Sequence, residues 1–511
     1  MRVCTQPDSG IGHPAGKKWP EMSPGHIRPF MATWDMRAGE WTPQIMKDCA
    51  LKAVQLGFSR VQLNYEWATL QPQDTENVDL GKVDWAIKVA RACGLEVALG
   101  IDHSAPPPWV DKNEFCVRDE GQRLLVAGAT NTPMMAQNSK QVREWVADFL
   151  RFLVGRFGDS IKYIQGISTP VGESTWRHPS KKMHDHSKWA GEAYRAWIRA
   201  RYVDIRTLNA AWDCNYRDWA EVQVGEGPRK ATMADFHTFR YFTLSSWTDY
   251  MRKAVREVKP TMPWAFRLGA VRLDKEMQQL SFDFGRYAKF ADVLIADGAY
   301  DQFVINMVRS AAEINGKPWG IRLDSSVFEK GLSPEQVNIE LYKWGKSVYD
   351  LGGFVDIENF VNFTGQVIPG PVDWADTKKW SFLGEMQRLA RGPAPQPKNN
   401  RRAVFVSAGE IQYSDGTDYE AARNRWLQVC DSGKKPQYDV VSDGMFVASP
   451  DILKRYTAGV DVPFGKVMSK DTRGALIQAM SLGVRLAVEK PALAGSIDEH
   501  GKPQTTLIAQ A

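Results

Sequence analysis

The sequence IKYIQGISTPVGESTW, residues 161–176, combines the two features on which the predicted fold depends. Its apolar first half is typical of a buried strand. The small and polar residues that follow are typical of a loop that leaves the carboxyl end of that strand. Glu173 lies in this loop, three residues before Trp176. The pattern therefore predicts a carboxylate at the end of a buried strand, where parallel barrels place their reactive groups.

The same strand–loop–helix unit recurs along the first 390 residues. Gly57 and Gly94 are placed to end the first two long helices, Thr42-Pro43 to begin the first, and Ser333 with Gln336 to form a capping box. The predicted strands lie in residues 26–36, 60–72, 95–102, the start of 161–176, 263–271, 290–300, 317–326 and 352–363. Eight alternations favour an α/β fold of the (β/α)8 TIM-barrel class, with a helical insertion after strand four at about residues 180–257. A doubly wound sheet is the alternative, but no glycine-rich phosphate loop follows the first strand.

A Pro-rich segment, RGPAPQPKNN at residues 391–400, predicts a domain boundary. Before this linker we expect an N-terminal arm at residues 1–25 and the barrel at residues 26–390. After it, strand and helix patterns predict a small α/β domain at residues 401–490. Residues 491–511 have little periodicity and predict a tail.

Composition excludes several classes of function. The net charge of +5 is spread over 511 residues without a basic block, which argues against a nucleic-acid partner. The sequence has no apolar segment long enough to cross a membrane and no apolar core of a secretion signal at its start, which predicts a cytoplasmic protein without a membrane partner. Six scattered cysteines without a C-x-x-C pair favour a reducing compartment. His178, His184, Asp185 and His186 follow no recognised ligand spacing, so we predict a polar loop there, no metal and no cofactor.

The predicted strand ends are rich in carboxylates and aromatic rings and poor in histidine. They carry Trp34, Asp35, Asn64, Glu66, Asp102, His103, Glu173, Arg267, Asp297, Asp301, Asp324 and Glu358. No hydroxyl–histidine pair is apparent, so nucleophilic Ser or Cys chemistry is poorly supported. A two-carboxylate cleavage of a glycosidic bond fits the set best, with a carbohydrate as substrate. The predicted substrate-binding residues are Trp34, Asn64, Glu66, Asp102, His103, Trp109, Trp176 and Arg267.

Two segments carry a resemblance to a known family. NYEWATLQPQ (64–73) and VDLGKVDWAIKVARACGLEVALGIDHSAPPPWV (78–110) resemble the second and third βα units of family 42 β-galactosidases and their retaining relatives. The shared features are an aromatic-x-W-x-x-L-x-P strand end and an A-P-P-x-W loop. The domain after the linker resembles the flavodoxin-like trimerisation domain of that family. The resemblance implies a barrel glycosidase that acts on β-linked galactosides and assembles as a homo-oligomer, a trimer.

The resemblance also implies that Glu173, at the end of strand four, is the general acid/base. This chain departs from the family at Gly172, because the family usually has an Asn there that contacts the sugar hydroxyl next to the anomeric carbon. TPVGESTWRHPS (169–180) resembles, in addition, a segment of the inverting β-amylases whose Glu is the general acid. Both resemblances select the same residue for the same role.

Several residues are candidates for the second catalytic carboxylate. The resemblance implies a nucleophile at the end of strand seven, where this chain has Asp324 instead of the family's Glu. The shorter side chain moves the carboxylate back by roughly 1.5 Å. Glu358, at the end of strand eight, is the rival, and Glu329 is a third candidate. Retention requires carboxyl groups about 5–5.5 Å apart and inversion about 6.5–9.5 Å, so their separation from Glu173 decides the outcome.

The leading hypothesis is therefore a glycoside hydrolase that cleaves a β-linked galactoside or a related oligosaccharide or polysaccharide. The departures at Gly172 and Asp324 motivate the alternative of a non-catalytic carbohydrate-binding or scaffold protein on a decayed glycosidase barrel. A polysaccharide lyase would need a Tyr or His base, for which only Tyr65 and His103 are available, and it ranks last.

Overall fold

A computed structural model of the chain describes residues 2–3, 28–36, 41–103, 106–115, 134–167, 185–225, 230–268, 283–297, 300, 302–324, 331–358, 361–362, 370–371, 382–393, 401–407, 424–426, 428, 438–463 and 465–507. Of the residues singled out in the sequence analysis, seven lie outside this range: Gly172, Glu173, Trp176, His178, His184, Asp301 and Glu329. None of the helices in the described part of the chain combines the length and the apolar character that a membrane-spanning helix needs.

Eight parallel strands close into a barrel, which confirms the predicted fold class. They are β1 Phe30–Asp35, β2 Arg60–Glu66, β3 Glu96–Asp102, β4 Ile164–Ile167, β5 Trp264–Leu268, β6 Val293–Asp297, β7 Trp319–Asp324 and β8 Phe354–Glu358. Each strand pairs with the next one along the chain, and β8 pairs with β1 to close the sheet. All eight strands fall within the predicted segments, and β2 is shorter than predicted because a one-turn helix begins at Trp67.

Helices alternate with these strands and cover the outside of the barrel. They are α1 Pro43–Gln55, α2 Trp67–Leu70, α3 Gly81–Ala92, α4 Lys140–Phe157, α5 Lys188–Tyr202, α6 Ile205–Trp212, α7 Lys230–Val258, α8 Phe284–Ala288, α9 Gln302–Ile314, α10 Pro334–Asp350 and α11 Leu383–Arg391. Thr42 caps α1 by accepting a hydrogen bond from the backbone N–H of Ile45 at 3.2 Å. Ser333 and Gln336 form the predicted reciprocal capping box of α10. Helices α5, α6 and α7 make up the predicted insertion between β4 and β5.

The inside of the barrel changes from apolar to polar along its axis. Because side chains alternate along a strand, every second residue points inward. The inward residues near the amino-terminal ends form one buried cluster of Met31, Ala98, Tyr163, Ala265, Val293, Ile295 and Phe354. Two residues further along β1, β2, β7 and β8, the inward side chains are the buried polar groups Thr33, Gln62, Arg322 and Asp356. Polar residues thus begin below the mouth of the barrel, inside its closed wall.

A second parallel sheet follows the barrel. Its strands are β9 Arg402–Val406, β10 Asp439–Ser442, β11 Gly459–Val462 and β12 Leu486–Val488, in the spatial order β10-β9-β11-β12. The helices α12 Asp443–Phe446 and α13 Lys470–Ser481 accompany it. The sequence analysis did not predict β11, although its four residues carry the valines typical of a strand.

Residues 491–507 pack onto the rest of the chain, which corrects the prediction of a tail for this segment. The backbone N–H of Met468 donates to the carbonyl of Ile497 at 3.0 Å, and Leu507 is fully buried. His500 lies 2.9 Å from the hydroxyl of Tyr202 in α5. The segment lacks periodicity because turns and single hydrogen bonds, instead of a helix or a long strand, hold it in place.

Two Gly→Ala substitutions test the packing of the barrel floor. A Cβ at Gly320 in β7 would lie 2.4 Å from a ring carbon of Phe354, so Gly320→Ala should destabilise the protein by about 1–3 kcal/mol through overpacking. Gly474 in α13 has no heavy atom within 4 Å of its would-be Cβ, so Gly474→Ala should stabilise the helix by about 0.5–1 kcal/mol. Thermal unfolding of both variants against the wild type measures the difference. Equal melting temperatures for the two variants would contradict the described packing.

Candidate active site

The carboxyl ends of β6, β7 and β8 bring three acidic residues together, Asp324 and Glu358 at the mouth of the barrel and Asp297 in the layer just beneath it. Strand register makes Asp324 and Glu358 direct partners across the β7–β8 ladder, and it pairs Asp297 with Arg322 across β6–β7. Paired residues on neighbouring strands lie about 4.8 Å apart. The two residues predicted as the second carboxylate, Asp324 and Glu358, are therefore side by side at the same height.

Arg322 is the fully buried positive charge beneath these acids. Its Nε donates to Asp356 Oδ2 at 3.1 Å, its Nη1 to Glu358 Oε1 at 2.8 Å and its Nη2 to Thr33 Oγ1 at 2.8 Å. Burial lowers the pKa of Arg322, but Glu358, Asp356 and Asp297 together raise that pKa above its ordinary value. The guanidinium is therefore a fixed charge at any pH at which the protein is folded. The sequence could have pointed to Arg322, because it is a lone charged residue in the otherwise apolar strand segment WGIRL. A charge buried in such a strand needs partners close by.

Arg267 and Asp297 continue the charged layer on β5 and β6. Arg267 is 2% exposed, and its Nη2 lies 3.1 Å from Asp297 Oδ2. The same oxygen lies 3.8 Å from Arg322 Nη1. Burial raises the pKa of Asp297 to about 6, in spite of the opposing attraction of the two arginines, and repulsion by Glu358 and Asp324 adds to the rise. Asp297 therefore changes its charge close to neutral pH.

Tyr300 holds the backbone at the end of β7. Its hydroxyl donates to the carbonyl oxygen of Asp324 at 2.6 Å and accepts a hydrogen bond from the N–H of the same residue. Burial raises the pKa of Tyr300 above its ordinary value, and the nearby charge of Asp324 adds to this effect, so the phenol stays protonated. The backbone that presents Asp324 is thus fixed by a partner outside the strand ladder, and the sequence analysis did not identify Tyr300.

The ends of β2 and β3 supply the polar residues on the other side of the mouth. Asn64 Oδ1 accepts a hydrogen bond from Gln62 Nε2 at 2.9 Å. Gly100 makes room for this amide, because a Cβ there would lie 2.0 Å from Asn64 Oδ1. The half-buried Glu66 is the ladder partner of Asp102, which is 1% exposed. These three predicted substrate-binding residues, Asn64, Glu66 and Asp102, lie together as expected from the strand pattern.

Two of the predicted substrate contacts lie on the outer side of the sheet instead. Trp34 is fully buried and stacks on Trp41 with ring centroids 5.9 Å apart. It faces the helix layer because its neighbour Thr33 points inward. His103 is 1% exposed, its ring lies 5.2 Å from that of Trp247 in α7, and burial lowers its pKa to about 3. The structure corrects the predicted role of both residues, since neither presents a surface that a sugar could reach.

Trp109 packs the loop that follows β3. Its ring meets Trp67 and Trp145 edge to face at centroid distances of 5.6 and 5.2 Å. Its Nε1 donates to the backbone carbonyl of Gln71 at 2.8 Å. Through these contacts Trp109 anchors the Pro-rich loop. This packing role differs from the predicted role of Trp109 as a wall on which a sugar stacks.

The segment that carries Glu173 and Trp176 begins after Ile167, at the end of β4, and lies outside the described residues. Of the histidine-rich segment that follows it, Asp185 accepts hydrogen bonds from the N–H and the hydroxyl of Ser187, each at 2.8 Å. Asp185 thus stabilises the turn that leads into α5.

Comparison with known proteins relates this barrel to one family. The sequence profile of glycoside hydrolase family 42, described as beta-galactosidase, matches residues 34–328. A Beta-galactosidase from Thermus thermophilus is 28% identical over 212 residues, which cover 39% of this chain and 32% of that protein. A Beta-galactosidase from an Arthrobacter species is 26% identical over 272 residues, which cover 50% of this chain and 35% of that protein. The chain matches about a third of the length of these curated relatives.

A solved structure shares the fold over most of the chain. It is a catalytic mutant of a GH42 beta-galactosidase from G. stearothermophilus, with a TM-score of 0.74 and 17% sequence identity, covering 93% of this chain and 73% of that one. The profile match covers more than half of the chain and runs from the end of β1 beyond β7, through the strand ends that carry Asp297 and Asp324. The chain therefore belongs to glycoside hydrolase family 42.

Proposed function

We propose that the protein is a glycoside hydrolase that cleaves β-linked galactosides or closely related sugars by a two-carboxylate mechanism. The observation that carries the proposal is that Asp324 and Glu358 are adjacent on β7 and β8 at the mouth of the barrel, where either can serve as the second carboxylate opposite Glu173. Such enzymes need two carboxyl groups on either side of the scissile bond. Membership of family 42 and the name Beta-galactosidase of its relatives support a galactoside as the sugar.

We assign the nucleophile to Asp324 and keep Glu358 as its rival. Glu358 shares its charge with Arg322 through a hydrogen bond of 2.8 Å, and this charge-assisted bond makes the carboxylate a weaker nucleophile. Asp324 stands at the end of strand seven, the position that the family resemblance implies for the nucleophile. Its backbone is fixed by Tyr300, which favours a defined direction of attack.

The general acid/base is Glu173 in this proposal, on the basis of the resemblance around strand four. In the first step Asp324 attacks the anomeric carbon, while Glu173 gives its proton to the leaving oxygen. In the second step Glu173 takes a proton from water, the water oxygen attacks the anomeric carbon, and Asp324 leaves. Asn64, Glu66 and Asp102 are the proposed hydrogen-bonding partners of the sugar, with Trp176 as an aromatic wall. Arg267 acts in this proposal through Asp297, which it contacts.

Replacing the proposed acid/base is the first test. Glu173→Gln should lower kcat/KM for lactose by about 10²–10⁴-fold, because a positioned general acid contributes a factor of this size. The loss should be smaller with dinitrophenyl β-galactoside, because the dinitrophenolate departs without a proton. Steady-state kinetics with the two substrates measure this difference.

The same experiment needs a check on folding and a control residue. The melting temperature of Glu173→Gln should stay close to that of the wild type. Glu385→Gln, which changes a partly exposed glutamate of α11 that pairs with Arg388, should retain full activity. Near-normal turnover of lactose by Glu173→Gln would contradict the assignment, and a wild type that binds galactose without turnover would favour the scaffold alternative.

Chemical rescue distinguishes Asp324 from Glu358. Asp324→Ala should lose turnover, and added azide should restore it by attacking the anomeric carbon from the vacated side, which gives an α-galactosyl azide. Glu358→Ala should lose stability because one partner of the buried Arg322 is removed, and azide should not restore its activity. Proton NMR identifies the product and its configuration. Rescue of Glu358→Ala instead of Asp324→Ala would transfer the nucleophile role to Glu358.

We also propose that the protein is a homotrimer, because its small domain resembles the trimerisation domain of the family. Analytical ultracentrifugation of the full chain at micromolar concentration should give three times the mass of one chain. A monomer under these conditions would contradict the proposal.

A further inference from the structure

Four charged side chains from four consecutive strands form a continuous row of contacts across the barrel. Arg267 of β5 contacts Asp297 of β6 at 3.1 Å, Asp297 lies 3.8 Å from Arg322 of β7, and Arg322 contacts Glu358 of β8 at 2.8 Å. The charges alternate in sign along this row of contacts. It ends at Glu358, the ladder partner of Asp324.

Two atoms in this row of contacts each have two charged partners. Oδ2 of Asp297 faces both Arg267 Nη2 and Arg322 Nη1. Nη1 of Arg322 faces both Asp297 Oδ2 and Glu358 Oε1. Nη1 is hydrogen-bonded to Glu358 at 2.8 Å and lies 3.8 Å from Asp297, so a shift of the guanidinium toward Asp297 lengthens its contact with Glu358.

We propose that Arg322 and Asp297 are positioning residues of the reaction at the barrel mouth, and that the charge of Asp297 controls how firmly Arg322 holds Glu358 beside Asp324. This inference rests on the proposed function, since it concerns the carboxylates to which catalysis is assigned. Neither residue needs to touch the substrate, because both lie in the layer beneath Asp324 and Glu358 and are buried.

The charge of Asp297 depends on every group that faces it. Among the residues that the structure describes, these groups are Arg267, Arg322, Asp324, Glu358 and the phenol of Tyr300. Because burial raises the pKa of Asp297 to about 6, its carboxylate is neutral on the acid side of that value and charged on the basic side. When charged, it competes for Arg322 and repels the nearby carboxylates Asp324 and Glu358.

The variant Asp297→Asn removes this charge and keeps the shape of the side chain. Without the repulsion, the acid limb of the pH profile of kcat/KM should move to lower pH by about 0.5–1 unit. On that limb, the variant should retain about three- to tenfold more of its plateau activity than the wild type does at the same pH. A lower plateau alone would be expected from a purely structural residue, whereas a shifted limb would not.

Stability measured without substrate provides a second readout. A carboxyl group whose pKa is raised by folding adds stability below its unfolded pKa of about 3.9 and loses that contribution as the pH rises through about 6. Asn cannot titrate, so the melting temperature of Asp297→Asn relative to the wild type should increase between about pH 4.5 and 7. Differential scanning calorimetry of the full chain across this range measures the change.

Asp439→Asn is the matched control. Asp439 is also a buried carboxylate that contacts two arginines, Arg309 and Arg401, but it lies in β10 of the second sheet. Its replacement should lower the melting temperature and leave the acid limb of the pH profile where the wild type has it. This control separates the loss of a buried ion pair from the loss of this particular charge.

Arg322→Lys tests the other positioning residue. Lysine keeps the charge, but one ammonium group cannot reproduce the three directed hydrogen bonds to Asp356, Glu358 and Thr33. We expect kcat to fall at least about tenfold, the factor that corresponds to one lost hydrogen bond to a charged group. Arg388→Lys, on the surface of α11, should have wild-type kinetics.

The outcomes distinguish a failure of the proposed function from a failure of the positioning roles. A wild type that turns over no β-galactoside overturns the proposed function and the positioning roles together. A wild type that is active, with Asp297→Asn showing an unshifted acid limb or a pH-independent difference in melting temperature, overturns the positioning roles alone. Wild-type kcat in Arg322→Lys overturns the role of Arg322.

Discussion

The buried guanidinium of Arg322 is the constraint on which the interior of the barrel depends. A charge taken out of water costs several kcal/mol, and only closely placed partners offset that cost. Here the partners come from three other strands: Asp297 on β6, Asp356 and Glu358 on β8, and Thr33 on β1. A closed sheet makes this possible because it brings β1 next to β8 and gives one side chain access to several strands at once. Satisfaction of this charge therefore depends on closure of the barrel.

The two-residue period of the strands then decides which side chains share the interior. In β7, Gly320, Arg322 and Asp324 point inward at successive heights, so the same alternation that buries the arginine delivers the carboxylate to the mouth. In β1 the alternation has the opposite consequence for Trp34, whose neighbour Thr33 is the inward residue. Nearness to the strand end is thus a weaker guide to function than strand alternation. A side chain shares the interior only if it is an even number of residues from one that is known to point inward.

The elements of the fold could be predicted from local patterns, whereas the partners within the site could not. The caps at Thr42 and Ser333 are local signals, and the helices begin where they predict. The adjacency of Asp324 and Glu358 was already implicit in two strand ends that follow each other in the chain. The contacts of Arg322 with Thr33 and of Tyr300 with Asp324 depend on register and on loop direction, which no local pattern encodes. His103 was misplaced for the same reason, since its polarity suggested the mouth and its parity placed it against Trp247.

The second sheet packs against helix α9, outside the strands of the barrel. Helix α9 lies between β6, which ends at Asp297, and β7, which ends at Asp324, and it carries Arg309, whose guanidinium pairs with the buried Asp439 of β10. In the same helix, Ser310 Oγ accepts a hydrogen bond from the backbone N–H of Val440 at 3.2 Å. An ion pair shielded from water in this way is costly to break, because separation leaves a buried charge without a partner. The small domain therefore restrains the helix that connects these two strands of the barrel.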